Sequence, residues 1–163
     1  MVLSPYSLKM EQQNSQVSIL PAGLSDLNPL REMDRICFDK DQWPLLELIS
    51  VLIYPGIVRL KADSDGKMVG FISGDTRQVE GVGWITTISV LPEYRRRGIA
   101  RELILACEAA LAKPLVRLSV RRSNLGAQRV YVDLGYKYLE VWKGYYSDGE
   151  DGLVMEKNYL KIG

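Results

Sequence analysis

The run from residue 82 to residue 120 constrains the fold most, because it predicts a strand, a helix and a second strand in succession. Residues 82–91 form the longest strand candidate and stop at Pro92. From Gly98 an apolar stripe recurs at i, i+4, i+7 and i+8, which predicts one long amphipathic helix. Residues 116–120 have the composition of another strand. Because strands joined by such a crossover pair in parallel, the sheet is expected to contain a parallel step.

The segments around this crossover favour antiparallel strands and shorter helices. Alternating patterns at residues 57–62 and 67–74 flank the turn cluster Asp63-Ser64-Asp65-Gly66, which predicts a hairpin. Further strands are predicted at residues 17–20, 137–142 and 153–159, and further helices at residues 25–37, 44–52 and 126–134. The sequence thus predicts one mixed α/β domain over residues 16–163, with about seven strands and helices on both faces. Residues 1–15 are expected to form a polar tail.

Composition excludes several classes of function. The absence of histidine excludes Ser-His-Asp triads, Cys-His dyads, His-based zinc sites and a histidine base. Cys37 and Cys107 form no CxxC pair, which predicts reduced core residues of a cytosolic protein and no metal site. With 21 Lys+Arg and 20 Asp+Glu the net charge is +1, so an anion must be bound by a local feature. No apolar run approaches the roughly 20 residues that span a bilayer.

That local feature is the junction between the long strand and the long helix, where the sequence reads LPEYRRRGIAR. The N-terminus of a helix presents unpaired N–H groups and the positive end of the helix dipole, which suit a phosphate. Gly98 allows the backbone to approach an anion closely, and three successive arginines add positive charge. On its own, the arginine run is equally compatible with a solvated loop or a nucleic-acid patch.

Three motifs in register resemble one enzyme family. Arg95-x-x-Gly98-x-Ala100 is similar to the acetyl-CoA pyrophosphate loop of the GNAT superfamily of N-acetyltransferases. Leu118-x-Val120-Arg121-x-x-Asn124 and Tyr131-x-x-x-Gly135-Tyr136 resemble its second cofactor segment. Residues 145–155 resemble the tail of the N-terminal (α-amino) acetyltransferases, a branch that includes the ribosomal-protein-alanine acetyltransferases. The resemblance covers roughly half of the chain and implies a GNAT-like sheet that splays after its fourth strand.

The resemblance also implies roles for individual residues. Backbone groups of Ile88 and Val90, with Ser89 between them, are expected to bind the pantetheine arm, and the Val90 N–H is expected near the thioester oxygen. The pyrophosphate is expected on backbone N–H groups of Arg96, Arg97, Gly98, Ile99, Ala100 and Arg101. Asn124 corresponds to a residue that bonds the cofactor arm, and Tyr131 to a general acid that protonates the leaving thiolate. The expected substrate-binding residues are Tyr145, Tyr146 and Trp84. Without the motif, Asn124 would be read as a helix cap and Tyr131 as core packing.

The general base is the point of departure from the family pattern. The ribosomal-protein-alanine branch has an acidic base where this chain has Ser119, which can hold a water but cannot accept the amine proton as a base. Glu80, Asp39 and Asp41 are the candidates to accept the proton through water. A free α-amine, with a pKa of about 7.7–8.0, is on the order of a quarter neutral near pH 7.4, whereas a lysine amine is roughly 0.1% neutral. A site without a strong base therefore favours protein N-termini over lysines.

The sequence thus predicts an acetyl-CoA-dependent N-acetyltransferase that acts on a protein or peptide α-amino group. The amine is expected to attack the thioester directly, through a tetrahedral oxyanion. The alternatives are a small-molecule amine acetyltransferase, a catalytically weak acetyl-CoA-binding domain and a nucleic-acid-binding protein. No metal, nucleic-acid or membrane partner is expected, and the protein is expected to be a cytoplasmic monomer or homodimer.

Overall fold

The computed structural model describes residues 16–161, so the predicted tail at residues 1–15 lies outside the described residues. Within them, seven strands form one sheet in the order β1-β2-β3-β4-β5-β7-β6. The strands are β1 (Val17–Pro21), β2 (Ile57–Ser64), β3 (Lys67–Val79), β4 (Val82–Val90), β5 (Leu115–Arg121), β6 (Lys137–Trp142) and β7 (Gly152–Asn158). The helices are α1 (Leu27–Cys37), α2 (Leu45–Ile53), α3 (Ile99–Leu111) and α4 (Leu125–Asp133). The predicted mixed, mainly antiparallel sheet is confirmed.

The turn between β2 and β3 is shorter than the four-residue cluster predicted from the sequence. Pairing of Ser64 with Lys67 leaves Asp65 and Gly66 as its two central residues. Both have positive φ, 51° and 84°, as a type I′ hairpin turn requires. Strand β3 also continues to Val79, five residues beyond the predicted Gly74, because its pairing with β4 resumes after an irregularity. Of the residues missed, Asp75 and Val79 are paired with β4, and the three between them lie in the irregularity.

The parallel step lies between β4 and β5, and it is short. Over the described residues these two strands pair at three positions, from Val82 opposite Leu115 to Trp84 opposite Arg117. Beyond Trp84 the strands diverge, while β4 stays paired with β3 as far as Val90. The predicted splay after the fourth strand is confirmed, and it leaves one edge of β4 without a neighbouring strand.

Helices cover both faces of the sheet around β3. Helix α3 contacts β2, β3 and β4, and it lies so close that a Cβ at Gly74 would come within 2.9 Å of Leu111. The alternate residues Val69 and Phe71 are buried on the other side, where α1 contacts β3. Cys107 is fully buried on the face of α3 that packs against the sheet, and no disulfide joins it to Cys37. No helix among residues 16–161 is long and apolar enough to cross a membrane.

Candidate active site

The splay opens into a cleft of about 640 Å³. Five parts of the chain line it: the α1–α2 loop, the middle of β4, the end of β5, the start of α4 and the β6–β7 loop. These parts are far apart in sequence and meet because β4 and β5 separate beyond Trp84. A cleft formed by a divergence of strands has backbone groups on its floor that no neighbouring strand uses.

The floor of the cleft is the free edge of β4. The N–H of Leu91 donates to the carbonyl of Val69 on β3, at 2.9 Å. Because main-chain groups alternate in direction along a strand, those of Ile88 and Val90 point toward the opening and those of Ser89 point toward β3. The carbonyl of Val90 accepts a bond from Arg95 Nε at 2.9 Å, which leaves the Val90 N–H for a ligand.

This geometry divides the three residues of the predicted cofactor strand. Ser89 is buried, pairs with Phe71 of β3 and does not line the cleft. Ile88 lines the cleft, and Val90 offers its N–H at the end of the strand. Alternation along the strand explains why the middle member of the Ile88-Ser89-Val90 run faces away.

Residues 95–101, here called the arginine loop, run from the connection after β4 into the first turn of α3. Gly98 caps α3 with a left-handed backbone, φ 79°, and a Cβ built on it would meet nothing within 4 Å. Arg96 also has positive φ, 61°, so successive N–H groups turn toward one side. The N–H groups of Ile99, Ala100 and Arg101 open α3 and have no carbonyl partner in the helix. An exposed concavity of backbone donors fits a pyrophosphate.

The arginine side chains of this loop do different things. Arg95 is bonded to the Val90 carbonyl, whereas Arg97 donates to the Glu93 carbonyl at 3.0 Å and lies 5.0 Å from the Tyr94 ring. Arg96 and Arg101 are exposed. Two of these guanidinium groups therefore shape the loop, and the exposed pair supplies free positive charge.

Asn124 and Tyr131 lie at opposite ends of the first two turns of α4, and both line the cleft. Asn124 caps the helix, since its Oδ1 accepts from Ala127 N at 3.1 Å. Its amide nitrogen makes no hydrogen bond among residues 16–161, so the cap leaves a donor for a ligand. Tyr131 is 6% exposed and its ring packs against Tyr136, 5.9 Å away. Burial raises the pKa of Tyr131 to about 12, so its hydroxyl is a protonated donor at neutral pH.

Ser119 lines the cleft from β5, but the carboxylates proposed to replace it as base have different positions. Glu80 is exposed in the β3–β4 turn, at the far end of β4, and does not line the cleft, so it is excluded. Both oxygens of Asp41 accept from Arg121, each at 2.7 Å. Asp39 lines the cleft and makes no ion pair within the described part of the chain. Asp39 is therefore the remaining candidate.

Arg121, at the end of β5, joins the two loops that face each other across the cleft. It binds Asp41 of the α1–α2 loop, and Asp148 and Glu150 of the β6–β7 loop at 3.0 Å each. Its guanidinium also lies 4.1 Å from the centre of the Tyr146 ring. These carboxylates raise the pKa of Arg121, led by the bond to Asp41. Sequence reasoning gave Arg121 no role in the site, because its partners lie 80, 27 and 29 positions away.

We call this group the charged rim: Asp39, Lys40, Asp41, Arg121, Asp148 and Glu150, all of which line the cleft. Four carboxylates and two cations leave it with a net charge of −2. The pKa of Asp148 is lowered by a bond from the Glu150 N–H and then by Arg121, and that of Glu150 is lowered mainly by Ser123. The charged rim therefore has the opposite sign to the arginine loop.

The predicted substrate-binding aromatic residues are divided by the structure. Tyr145 and Tyr146 line the cleft, and burial raises the pKa of Tyr146 while its interaction with Ser119 opposes that rise. Trp84, the third predicted substrate-binding residue, does not line the cleft. It lies in the last β4–β5 pair, below the splay, and stacks on Trp142 with ring centroids 5.6 Å apart.

The family model for the acetyltransferase (GNAT) family matches residues 27–136, and the chain belongs to that family. The catalytic subunit NAA10 of the N-terminal acetyltransferase A complex of Arabidopsis thaliana is 33% identical over 149 residues, 87% of this chain and 78% of that protein. The ribosomal-protein-S18-alanine N-acetyltransferase of Escherichia coli has the same fold, with a TM-score of 0.80, 23% identity and coverage of 91% of this chain and 97% of that chain. Arabidopsis thaliana NAA60 in complex with acetyl-CoA gives a TM-score of 0.77 at 22% identity, covering 88% and 98%. The predicted family is thereby confirmed, and the protein is an N-acetyltransferase.

Proposed function

We propose that this enzyme transfers the acetyl group of acetyl-CoA to the α-amino group of a protein or peptide N-terminus. The observation that carries the proposal is the free edge of β4, which runs from the cleft to the arginine loop and has opposite charge at its two ends. Beyond Val90 the arginine loop offers backbone donors and exposed arginines, and along the cleft the charged rim has a net charge of −2. Acetyl-CoA is an anion and a peptide N-terminus is a cation, so each end suits one substrate.

At the cofactor end, the residues present fit a coenzyme A pyrophosphate. Gly98 has open space where a Cβ would stand, and the first N–H groups of α3 lack partners in the helix. The free edge of β4 then offers the Ile88 groups and the Val90 N–H to an amide-containing arm, as a neighbouring strand would use them. Asn124 has an amide donor left on the opposite wall of the cleft.

At the acceptor end, the named relative supports a peptide N-terminus, since it is the catalytic subunit of an N-terminal acetyltransferase. Tyr145, Tyr146 and the ion pairs of Arg121 form a wall open on the solvent side, where Tyr145 is 54% exposed. An open wall admits an amine carried by a longer chain.

Proton transfer is the step in which this chain differs from a site with a dedicated base. Tyr131, with its pKa at about 12, holds a proton that it can give to a leaving thiolate. Among residues 16–161, Asp39 is the one carboxylate lining the cleft that makes no ion pair, so the acceptor amine enters in its neutral form or loses its proton to water near Asp39. An α-amine has an adequate neutral fraction at pH 7.4, unlike a lysine.

We also propose that the protein is cytosolic, is a monomer or a homodimer, and binds neither nucleic acid nor a membrane. Its two cysteines are free thiols, as expected of a reducing compartment. The guanidinium of Arg121 is engaged by three carboxylates, so it is not available to a phosphodiester.

A paired peptide assay tests the acceptor. One peptide series has a free α-amine, no lysine and a varied first residue, and the matched series is α-acetylated with one lysine. We expect acetyl transfer to the first series, located by mass spectrometry, and acetyl-CoA should raise the melting temperature by mass action. Preferential transfer to lysine would overturn the proposed acceptor, and an unchanged melting temperature would overturn the cofactor site.

A further inference from the structure

A row of four aromatic rings connects the sheet to the cleft. Trp84 stacks on Trp142, whose ring centroid lies 4.9 Å from that of Tyr145, and Tyr145 meets Tyr146 edge-on at 5.1 Å. We call these rings the aromatic ladder. Centroid separations of about 4.5–7 Å are those of attractive aromatic pairs. The ladder begins outside the cleft and ends at two residues that line it.

The ladder lies on a half-buried face of the sheet. Alternate residues of β5 on this face, Arg117, Ser119 and Arg121, are partly exposed, whereas Val116, Leu118 and Val120 on the other face are buried. Trp84 is in register with Arg117, so its side chain stands on the half-buried face. The aromatic rings therefore occupy the side of β5 opposite the buried core.

Two features fix the ladder in place. The indole Nε1 of Trp142 donates to Glu140 Oε1 at 3.0 Å, which sets the orientation of the ring. Gly152 pairs with Trp142 across β6 and β7, and a Cβ built there would lie 3.2 Å from the Tyr145 ring. The Tyr145 ring can rest on the sheet because this position is glycine. Trp84 Nε1, in contrast, is buried without a hydrogen-bond partner, so stacking and packing hold that indole.

We propose that Trp84 and Trp142 are positioning residues that hold Tyr145 and Tyr146 as the acceptor-side wall of the cleft. They touch neither substrate and act through ring contacts from the sheet to the β6–β7 loop. The inference rests on the proposed function for the identity of the acceptor. Loss of a ladder contact should loosen the wall that receives the amine and leave the acetyl-CoA end unchanged.

Steady-state kinetics on a peptide acceptor separates the two ends. For Trp142→Ala we expect the acceptor KM to rise about fivefold, which corresponds to one aromatic contact, and the acetyl-CoA KM to change by less than about twofold. Gly152→Ala, which displaces the Tyr145 ring from outside the cleft, should raise the acceptor KM in the same direction. Val141→Ala is the matched control, because it truncates an exposed neighbour of Trp142 that is not in the ladder.

A second measurement tests how firmly the β6–β7 loop is held, without any acetyl transfer. Lys143 lies in the loop that follows Trp142, and its side chain is 77% exposed. Trypsin cleavage after Lys143 should be faster in Gly152→Ala and Trp84→Phe than in the wild type and Val141→Ala, because the loop opens more often. Neither accelerating substitution alters the residues beside the cleavage site.

The outcomes are distinct. An unchanged acceptor KM in folded Trp142→Ala and Gly152→Ala would overturn the ladder, and so would an equal rise in both KM values. If the wild type acetylates no α-amine, the proposed function fails, and the trypsin comparison still decides the ladder. Equal cleavage rates in all variants would then overturn it.

Discussion

The arginine loop and the charged rim, at the two ends of the free β4 edge, are built from different parts of the polypeptide. We expect the arginine loop to bind through backbone N–H groups, and its shape depends on one left-handed glycine and the start of one helix. The charged rim consists of side chains from two loops and the end of β5, where Arg121 joins Asp41 to Asp148 and Glu150. One end is therefore local in sequence and the other depends on the whole fold.

Because of this difference, the two ends tolerate amino-acid substitutions differently. Backbone donors at a helix N-terminus are insensitive to most side-chain substitutions, so the cofactor end can stay constant while the acceptor end varies. The charged rim is sensitive to substitution of Arg121 or its partners, because three of its four carboxylates depend on the same guanidinium. Selectivity for the acceptor is thus expected to reside in the rim, and substitutions should affect one substrate at a time.

The largest effect is expected at Tyr131, which lies between the two ends and belongs to neither. Tyr131→Phe removes a buried hydroxyl that is protonated at neutral pH. If it is the general acid, kcat should fall about 100-fold, with both KM values nearly unchanged. Thermal melts would verify that the variant is folded, and an unaltered kcat would remove the role.

A pH profile tests whether the acceptor end contains a base. Without one, kcat/KM should rise about tenfold per pH unit below the pKa of the acceptor amine and should follow that pKa from peptide to peptide. The measurement is kcat/KM from pH 6 to 9 with two peptides whose amines differ in pKa. An inflection that belongs to the enzyme, and that Asp39→Asn abolishes, would instead make Asp39 the base.

Disruption of the charged rim should change only the KM for the acceptor. Arg121→Met removes the charge that joins the two loops, and we expect the acceptor KM to rise about tenfold, equivalent to one charge-assisted bond. The acetyl-CoA KM should be unaffected, because the arginine loop shares no residue with the rim. Arg122→Met is the matched control, since Arg122 does not line the cleft and its contact with Asp151 is 3.5 Å long. A parallel rise in the acetyl-CoA KM would contradict the separation of the two ends.

The reciprocal test changes the cofactor end. Gly98→Ala places a Cβ on a residue with φ 79°, which should raise the acetyl-CoA KM about fivefold through backbone strain in the bound loop. Gly126→Ala, also in open space but without positive φ, should leave that KM unchanged. An increase confined to the acceptor KM would show that the loop serves another purpose.

The smallest effect is expected on stability in acid. The folded state lowers the pKa of Asp148 and Glu150, so their contribution is complete above their unfolded pKa values and is lost as pH falls through the folded values. Urea unfolding of wild type and Arg121→Met should therefore differ above about pH 5 and converge below about pH 3. A difference that persists in acid would mean that packing of Arg121, and not its charge, stabilises the protein.

The same contrast explains what could be predicted from the sequence. The arginine loop and the helix that follows it were predictable, because they depend on neighbouring residues and a short motif. The divergence of β4 from β5 was predicted only through the family resemblance. The placement of Ser89 also has a local cause, since alternation along β4 turns it toward β3. The ion pair between Arg121 and Asp41, 80 positions apart, was not predictable, because no local sequence pattern indicates which loops come together. Trp84 was assigned to the substrate for the same reason, as its stack with Trp142 is a tertiary contact.

The number of paired positions between β4 and β5, which is three, sets the length of the cleft in discrete steps. Pairing one more position, Ile85 with Leu118, would lengthen the paired segment by a single strand residue, about 3.3 Å, and shorten the cleft by as much. The length available to an acyl group therefore changes by whole residues of strand pairing. Gain or loss of one β4–β5 pair is the smallest change by which this fold can admit a shorter or longer acyl group.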